Sequence, residues 1–335
     1  MTATESGHSG HPGQGRSLKA DLHVHSYHSG YSTSLPLFRS RDSYSDPEEI
    51  YRRAKARGMD LVTITDHDSI DGCLELLDRH PDREDFIVGE EIECVLPDGD
   101  LTIHVGAFGI DERIHKEIQP IRDNVYDVAA FLRAERIPFC LNHPFMYYRE
   151  RVELFPYVTN LLRHFSAMEA RNGTMLSAQN ELVERILDDA SRSGNCLARF
   201  GGSDAHVLGR VGTTYTEAPA SSREEFLESL RQGRSRVGGR HGSTRVLASE
   251  IYGVIFNYWA SLLGLRRGDL LGYDRLRDIG LSAVSVPFQF IPFLVAAAKK
   301  TAESRRLARL TRRWLAYVEA DLPRDAALSL DTPVR

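Results

Sequence analysis

The stretch KADLHVHSYHSGYST, residues 19–33, places His23, His25 and His28 within six positions, directly after a short apolar run. In an extended strand, residues i and i+2 point to the same side, so His23 and His25 project two imidazoles from one face. A surface patch and a pair of metal ligands both fit such a spacing. The partners that the rest of the chain supplies must decide between them.

Short apolar runs alternate with amphipathic segments over residues 18–240. Strands are predicted at 18–25, 59–67, 85–96, 101–110, 137–145, 166–173 and 196–206. Helices are predicted at 46–58, 70–80, 115–136, 177–194 and 222–233. Strands separated by helices indicate βαβ units and a largely parallel sheet. About seven such units favour a closed or distorted barrel of the α/β class over an open sheet.

Residues with metal-binding side chains stand on or at the ends of these predicted strands. They are His23, His25, Asp66, His67, Glu90, Glu91, His104, His143, Asp204 and His206. In a barrel of this kind functional groups collect where the strands end. A carboxylate can bridge two divalent cations, and imidazoles complete the coordination of zinc, manganese or iron. The sequence therefore favours a metal centre over a surface patch.

Five motifs follow one another in the chain: HxH at 23–25, TDHD at 65–68, GxE at 89–91, NHP at 142–144 and SDAH at 203–206. In this order they resemble the PHP (polymerase and histidinol phosphatase) superfamily over residues 20–215. The resemblance implies a distorted (β/α)7 barrel, to which the apolar and basic composition after residue 241 adds a C-terminal helical appendage. It also implies a hydrolase of phosphoesters that uses two or three divalent metal ions (Mn, Zn or Fe) and a metal-bound hydroxide.

The resemblance also implies which residues hold each metal. The first would be held by His23, His25, Glu91 and Asp204, the second by Glu91, His104 and His143, and the third by His67 and His206. The catalytic candidates are His206 and Asp66, the latter by orienting a ligand from behind. His104 stands inside an apolar run, so it also fits a hydrogen-bonded histidine of the core.

The chain departs from the family pattern at one point. Relatives place a further Asp or His five or six residues after the second histidine of HxH, where this chain has Gly30 and Tyr31. Either the third metal is weakly held, or His28 or a residue of the insert at 31–45 replaces the missing ligand. A two-metal centre and a weakly loaded three-metal centre both remain open.

Two arginines are candidates to bind the phosphate of a substrate. Arg171 ends a predicted strand, and Arg210 follows the SDAH motif. A guanidinium can hold phosphate through two parallel hydrogen bonds. A surface or salt-bridged arginine is the alternative at either position.

The overall charge bears on the substrate. A formal net charge of −5 argues against broad nucleic-acid binding, and residues 18–240 lack a basic stripe with interleaved aromatics. We therefore expect a small phosphorylated metabolite or nucleotide, selected by loops at 29–45 and 144–165. A nuclease acting on nucleic-acid ends, and a non-catalytic regulatory or membrane-docking module, are the alternatives.

The ends of the chain differ in composition from the middle. Residues 1–17 are predicted to form a flexible tail without a secretory signal, 18–240 the barrel, and 245–335 a helical region. Residues 279–298 carry no charge, but Pro287 and Pro292 interrupt them. This favours a buried helical subdomain or a homodimer interface over peripheral membrane contact. Four scattered cysteines without a CxxC pair are typical of buried thiols in a reducing compartment, so we expect a cytoplasmic protein.

Overall fold

The computed structural model of the protein describes residues 16–31, 40–265, 272–285 and 291–321. Over these ranges the chain forms nine strands and ten α-helices. The strands are β1 (Ser17–Asp21), β2 (Leu61–Ile64), β3 (Phe86–Leu96), β4 (Leu101–Phe108), β5 (Phe139–Asn142), β6 (Ala167–Asn172), β7 (Ala198–Gly202), β8 (Thr214–Pro219) and β9 (Arg236–Gly239). The helices are α1 (Pro47–Ala56), α2 (Asp71–Arg79), α3 (Glu112–Ile118), α4 (Val125–Ala134), α5 (Leu154–His164), α6 (Ser177–Arg192), α7 (Arg223–Arg231), α8 (Thr244–Leu262), α9 (Gly272–Ser285) and α10 (Ile291–Asp321).

The strands form one sheet in the order β7-β6-β5-β4-β3-β2-β1-β8-β9. The edge strand β7 approaches β1 just beyond the ends of both strands, where Ser203 N donates to Asp21 Oδ1 at 2.7 Å and Val24 pairs in parallel with Ala205. The sheet therefore curls into a nearly closed barrel, which confirms the predicted α/β barrel class.

The sheet is less parallel than predicted. β1, β2 and β3 run parallel, as do β5, β6 and β7, but β4 is antiparallel to both of its neighbours. Only residues 97–100 separate β3 from β4, which allows a hairpin but not the crossover that a parallel pair needs. β8 and β9 add two further antiparallel pairings that the sequence pattern did not indicate.

Local signals explain where helices begin and end. Asp46 caps α1 by accepting a hydrogen bond from Glu48 N at 2.9 Å, and Gly58 follows with φ +77°. The single helix predicted over 115–136 is divided into α3 and α4. Pro120 lies in a 3-10 turn between them, because proline lacks the N–H that an α-helix needs there.

The C-terminal helices share the main apolar core. Leu307, Leu310 and Trp314 of α10 are buried with side chains of β3 to β6 and of α3 to α6. The indole Nε1 of Trp314 donates to Asp189 Oδ2 at 2.8 Å, which ties α10 to α6. Burial of so large a side chain contributes on the order of 2–3 kcal/mol, so α10 is an integral part of the packing.

Residue 240, the predicted end of the barrel, lies in the connection between β9 and α8. β9 ends at Gly239 and α8 begins at Thr244, on either side of the predicted end of the barrel. Residues 1–15 of the predicted tail lie outside the described residues, as do residues 286–290 of the uncharged stretch. In the part of the chain that the structure describes, no helix is both long and apolar enough to cross a membrane. Three cysteines are buried as expected, whereas Cys196 is exposed.

Candidate metal centre

The HxH pair follows the end of β1 in an extended segment held against the SDAH turn. Asp204 N donates to His23 O at 2.8 Å, and His25 N donates to Ala205 O at 3.0 Å. The Nε2 atoms of His23 and His25 lie 3.1 Å and 3.3 Å from the same Glu91 Oε2 atom. The two imidazoles therefore share one face, as the i, i+2 spacing predicts.

Glu91 of β3 stands at the middle of the site and is fully buried. Its Oε1 lies 3.0 Å from His143 Nε2 and 3.1 Å from His104 Nδ1. Its Oε2 lies 3.2 Å from His67 Nδ1. With His23 and His25, five imidazoles thus surround one carboxylate, and each of its two oxygens faces a different subset.

Asp204 supplies a second carboxylate on the side of β7. Its Oδ1 lies 3.4 Å from His25 Nε2 and 3.6 Å from both His23 Nε2 and His206 Nδ1. Asp204 has φ +52° and His143 has φ +25°, in a region that costs a non-glycine residue about 1–3 kcal/mol. His143 N donates to Glu169 Oε2 at 3.0 Å, one of the contacts that hold this conformation.

Asp42, from the insert at 31–45, supplies a third carboxylate. Its Oδ2 lies 2.7 Å from His206 Nε2 and 3.6 Å from His67 Nε2. It therefore takes the place that Gly30 and Tyr31 leave open. His28 does not join the centre, because its Nε2 lies 2.7 Å from Glu75 Oε2 of α2.

The donor atoms form four overlapping groups in which the atoms lie within 4.8 Å of one another. The groups are His25, Asp42, His67 and His206 (the Asp42 group); His23, His25 and Asp204; His23, Glu91 and His143; and His67, Glu91 and His104. All eight residues predicted as metal ligands thus lie in one place, joined by Asp42.

Buried polar atoms that lack a hydrogen-bond partner indicate whether these residues fit a metal ion. The buried atoms without a hydrogen-bond partner include His23 Nε2, His25 Nε2, Asp42 Oδ2, His67 Nδ1, Glu91 Oε2 and both ring nitrogens of His104. A buried polar atom left unpaired costs about 1–3 kcal/mol. This number of unpaired atoms in one place therefore requires a common partner. Imidazole nitrogens and carboxylate oxygens are ligands for zinc, manganese or iron. The residues present therefore fit divalent metals.

Asp66 supports the centre from behind rather than facing it. Its carboxylate accepts from Ser26 N and Ser26 Oγ at 2.6 Å and from Ser29 Oγ at 2.8 Å. Ser29 Oγ in turn lies 2.9 Å from His25 Nδ1. Asp66 thus acts on His25 through Ser29, which fixes the orientation of the ring.

Glu169 of β6 is a supporting residue that the sequence reasoning missed. Its Oε1 lies 2.9 Å from His23 Nδ1, and its Oε2 accepts from Asn172 Nδ2 at 2.9 Å. Asn142 Nδ2 similarly donates to Glu91 Oε1 at 2.9 Å. The signal for Glu169 was a single carboxylate within the apolar run SAMEA, on a strand that ends at the site.

Mutual attraction determines the charges of these groups. Burial would raise the pKa of Glu91, but the positive fields of His23, His104 and His67 hold it well below its usual range. Burial would lower the pKa of His206, but Asp42 outweighs this and raises the pKa to about 10. Burial would likewise lower the pKa of His104, but Glu91 outweighs this effect and raises the pKa to about 9. Without metal, the carboxylates are therefore charged and several imidazoles carry protons.

The structure does not bring Arg171 to the centre. The register of β6 shifts between Glu169 and Arg171, so the alternation that would have turned both side chains to the same face is broken. Arg171 Nη2 lies 4.0 Å from Glu184 of α6 instead. Arg210 is nearer, but its Nη2 donates to Gly173 O at 2.8 Å and its Nε lies 3.5 Å from Glu250 Oε1. Both guanidiniums thus already face protein groups.

An aromatic side chain borders the imidazoles on the β5 side. The ring of Tyr147 lies 5.1 Å from that of His104 and 6.4 Å from that of His143. Burial, followed by the negative charges of Glu91 and Asp204, raises the pKa of the Tyr147 hydroxyl. The hydroxyl therefore stays protonated at neutral pH and can act as a hydrogen-bond donor.

The PHP-associated family model matches residues 195–235, a range that includes the SDAH motif. An uncharacterized protein of Methanocaldococcus jannaschii is 33% identical over 106 residues, which are 31% of this chain and 57% of that protein. The chain thus matches little more than half the length of that relative.

Two solved structures show a similar course of the backbone. One is a two-domain protein of Bacteroides vulgatus containing a predicted PHP-like metal-dependent phosphoesterase (18% identity, TM-score 0.47, 71% of this chain and 70% of that chain). The other is a lesion-specific endonuclease of Pyrococcus furiosus (16% identity, TM-score 0.44, 78% and 74%). At such low identity neither carries a residue role over to this chain. What the comparisons show is therefore a similarity to the PHP-associated family over residues 195–235, which include the SDAH motif.

Proposed function

We propose that the protein is a metal-dependent phosphoesterase that releases phosphate from a small phosphorylated metabolite or nucleotide. The observation that carries this proposal is Glu91, a buried carboxylate surrounded by five imidazoles, four of which have a ring nitrogen without a hydrogen-bond partner. Divalent metals bound there would supply positive charge for phosphate oxygens and would acidify a coordinated water.

The side chains divide the remaining work. Glu91, Asp204 and Asp42 would hold the divalent metals together with the surrounding imidazoles. Asp66 keeps His25 in place through Ser29. His206 Nε2 lies 2.7 Å from Asp42 Oδ2, so these two side chains would hold a metal ion together with His25 and His67.

The depth of the site supports a small substrate. His23, His25 and Glu91 have at most 1% of their surface exposed, and His143 has 5%. A terminal phosphate group reaches such a recess more readily than an internal phosphodiester of a duplex. The net charge of −5 further disfavours extended contact with a nucleic-acid backbone.

The test uses the full-length protein, freed of metal by chelation and reloaded with Mn²⁺, Zn²⁺ or Fe²⁺. We expect metal-dependent phosphate release from at least one member of a panel of nucleotides and sugar phosphates, and its loss in Asp204→Asn. A folded, metal-loaded protein without turnover over the whole panel would contradict the proposal and favour a regulatory module. Cleavage of single-stranded oligonucleotides that depends on Asp204 would favour a nuclease instead.

The C-terminal region carries several exposed large apolar side chains: Phe256, Leu263, Leu265, Leu276, Leu281 and Leu294. They support the proposal that residues 245–335 contact a second copy of the chain or a membrane surface. Light scattering and co-sedimentation with anionic vesicles separate these two partners. The buried free thiols support a cytoplasmic location.

A further inference from the structure

The first helix of the C-terminal region packs next to the residues that follow the SDAH motif. Glu250 of α8 is buried, and its Oε1 lies 3.5 Å from Arg210 Nε. Arg210 continues this chain of contacts to the Gly173 carbonyl beyond β6. α8 thus lies next to the residues that follow the SDAH motif.

A glycine lets α8 approach the SDAH turn closely. A Cβ atom on Gly253 would lie 2.7 Å from Val207 Cγ1, nearer than carbon atoms pack. Val207 directly follows His206 and is buried. Because a valine side chain has little rotational freedom, the fit between Gly253 and Val207 fixes the distance between α8 and His206.

The same helix holds the loop that carries Asp42. Tyr44 is buried in a small cluster with Tyr258 and Leu262 of α8, against which Val254 also packs. On its other side the loop is fixed by Ser43, whose Oγ lies 2.9 Å from His25 O and 3.0 Å from His206 O. Asp42 therefore lies on a short segment held between α8 and the backbone of the centre.

We propose that α8 positions Asp42 and His206, and so sets the metal affinity of the Asp42 group. The two groups built on Glu91 take their residues from β3 and β4 and from the segments after β1, β2 and β5, and share only His67 with the Asp42 group. Displacing α8 should therefore weaken one metal site and spare the others. This inference rests on the proposed metal centre, but it concerns metal binding and not turnover.

The test compares two glycines of the C-terminal helices in the full-length protein. Gly253→Ala places a methyl group against Val207, whereas Gly280→Ala of α9 meets no atom within 4 Å. Metal-free protein is titrated with Mn²⁺ or Zn²⁺ by calorimetry, and bound metal is counted by elemental analysis. We expect Gly253→Ala to weaken one metal equivalent by about tenfold or more, as loss of supporting contacts does elsewhere, and Gly280→Ala to match the wild type.

Two further variants keep the inference falsifiable. Asp42→Asn should lose the same metal equivalent, and Tyr44→Ala should reproduce the effect of Gly253→Ala if the latter fails to fold. Wild-type metal binding in a folded Gly253→Ala or Tyr44→Ala, or in Asp42→Asn, would overturn the inference. A wild type that binds all its metal but releases no phosphate would refute the proposed function alone.

Discussion

Glu90 and Glu91 are neighbours in sequence that face opposite sides of β3, and their roles separate accordingly. Glu91 faces five imidazoles inside the barrel. Both carboxylate oxygens of Glu90 lie 3.0 Å from His115 Nδ1 of α3, and its Oε1 also accepts from Gln119. Both side chains are fully buried, so burial alone does not distinguish them.

A matched pair of substitutions uses this difference. We expect Glu91→Gln to lose most of its bound metal and to release phosphate about 100-fold more slowly or worse, since changes to supporting residues alone cost 10–100-fold. Glu90→Gln should keep its metal, because its partners lie outside the barrel. Elemental analysis and phosphate release check both, and equal metal content in the two variants would contradict the assignment of Glu91.

Tyr147 is the residue that we expect to contact substrate without holding metal. Within the described residues its hydroxyl has no hydrogen-bond partner, whereas Tyr148 donates to Val152 O at 2.6 Å. A hydrogen bond to a charged phosphate contributes about 1.5–3 kcal/mol, so Tyr147→Phe should lower kcat/KM by about tenfold or more. Metal content should not change, and Tyr148→Phe should behave as the wild type. An unchanged kcat/KM in Tyr147→Phe would exclude the contact.

At the scale of elements, the predicted ligands that the structure brings together lie on or just after regular strands. His23 and His25, or Asp204 and His206, are brought together by spacing and by the meeting of strand ends. Asp42 could not be singled out, since the insert at 31–45 has neither period nor motif. Arg171 was misplaced because the irregularity in β6 leaves no mark in the sequence.

Some whole elements could not be predicted from the sequence either. α5 lies within 144–165, which was expected to be a substrate-selecting loop, although its apolar side chains pack into the core. β8 and β9 are short and have mixed polarity, and their partners are distant in sequence. Long, regular segments were predictable from local pattern, whereas elements that owe their form to tertiary contacts were not.

The two loops next to HxH make a further prediction at this scale. His28 belongs to a turn that is fastened to α2 through Glu75, and Asp42 belongs to the loop that faces His67 and His206. We expect His28→Ala to keep the wild-type metal stoichiometry and to lose less than about 1 kcal/mol of stability, as for a partly exposed ion pair. Asp42→Asn should lose one metal equivalent. Elemental analysis decides, and loss of metal in His28→Ala would restore His28 as a ligand.

At the scale of the whole molecule, the centre links metal, protons and stability. The barrel gathers side chains from β3 and β4 and from the segments that follow β1, β2, β5 and β7, so their mutual attraction contributes to holding the fold together without metal. Burial alone would lower the pKa of both His206 and His104. Asp42 nevertheless raises the pKa of His206 to about 10, and Glu91 raises that of His104 to about 9. In the unfolded chain both would have values near 6.5.

The sign of the pH dependence follows from these shifts. A histidine with a raised pKa contributes stability that is fully present below about pH 6.5 and is lost as pH rises through its folded pKa. We therefore expect the Tm of the metal-free protein to fall between pH 7 and pH 9. Metal ligation needs neutral imidazoles, so metal affinity should rise over the same range and the gap in Tm between metal-loaded and metal-free protein should widen. Thermal melts at matched ionic strength measure both curves. Asp42→Asn removes the main cause of the raised pKa of His206, so it should flatten the curve of Tm against pH for the metal-free protein. A metal-free wild type whose Tm stays level or rises would rule out protonated imidazoles as a source of stability.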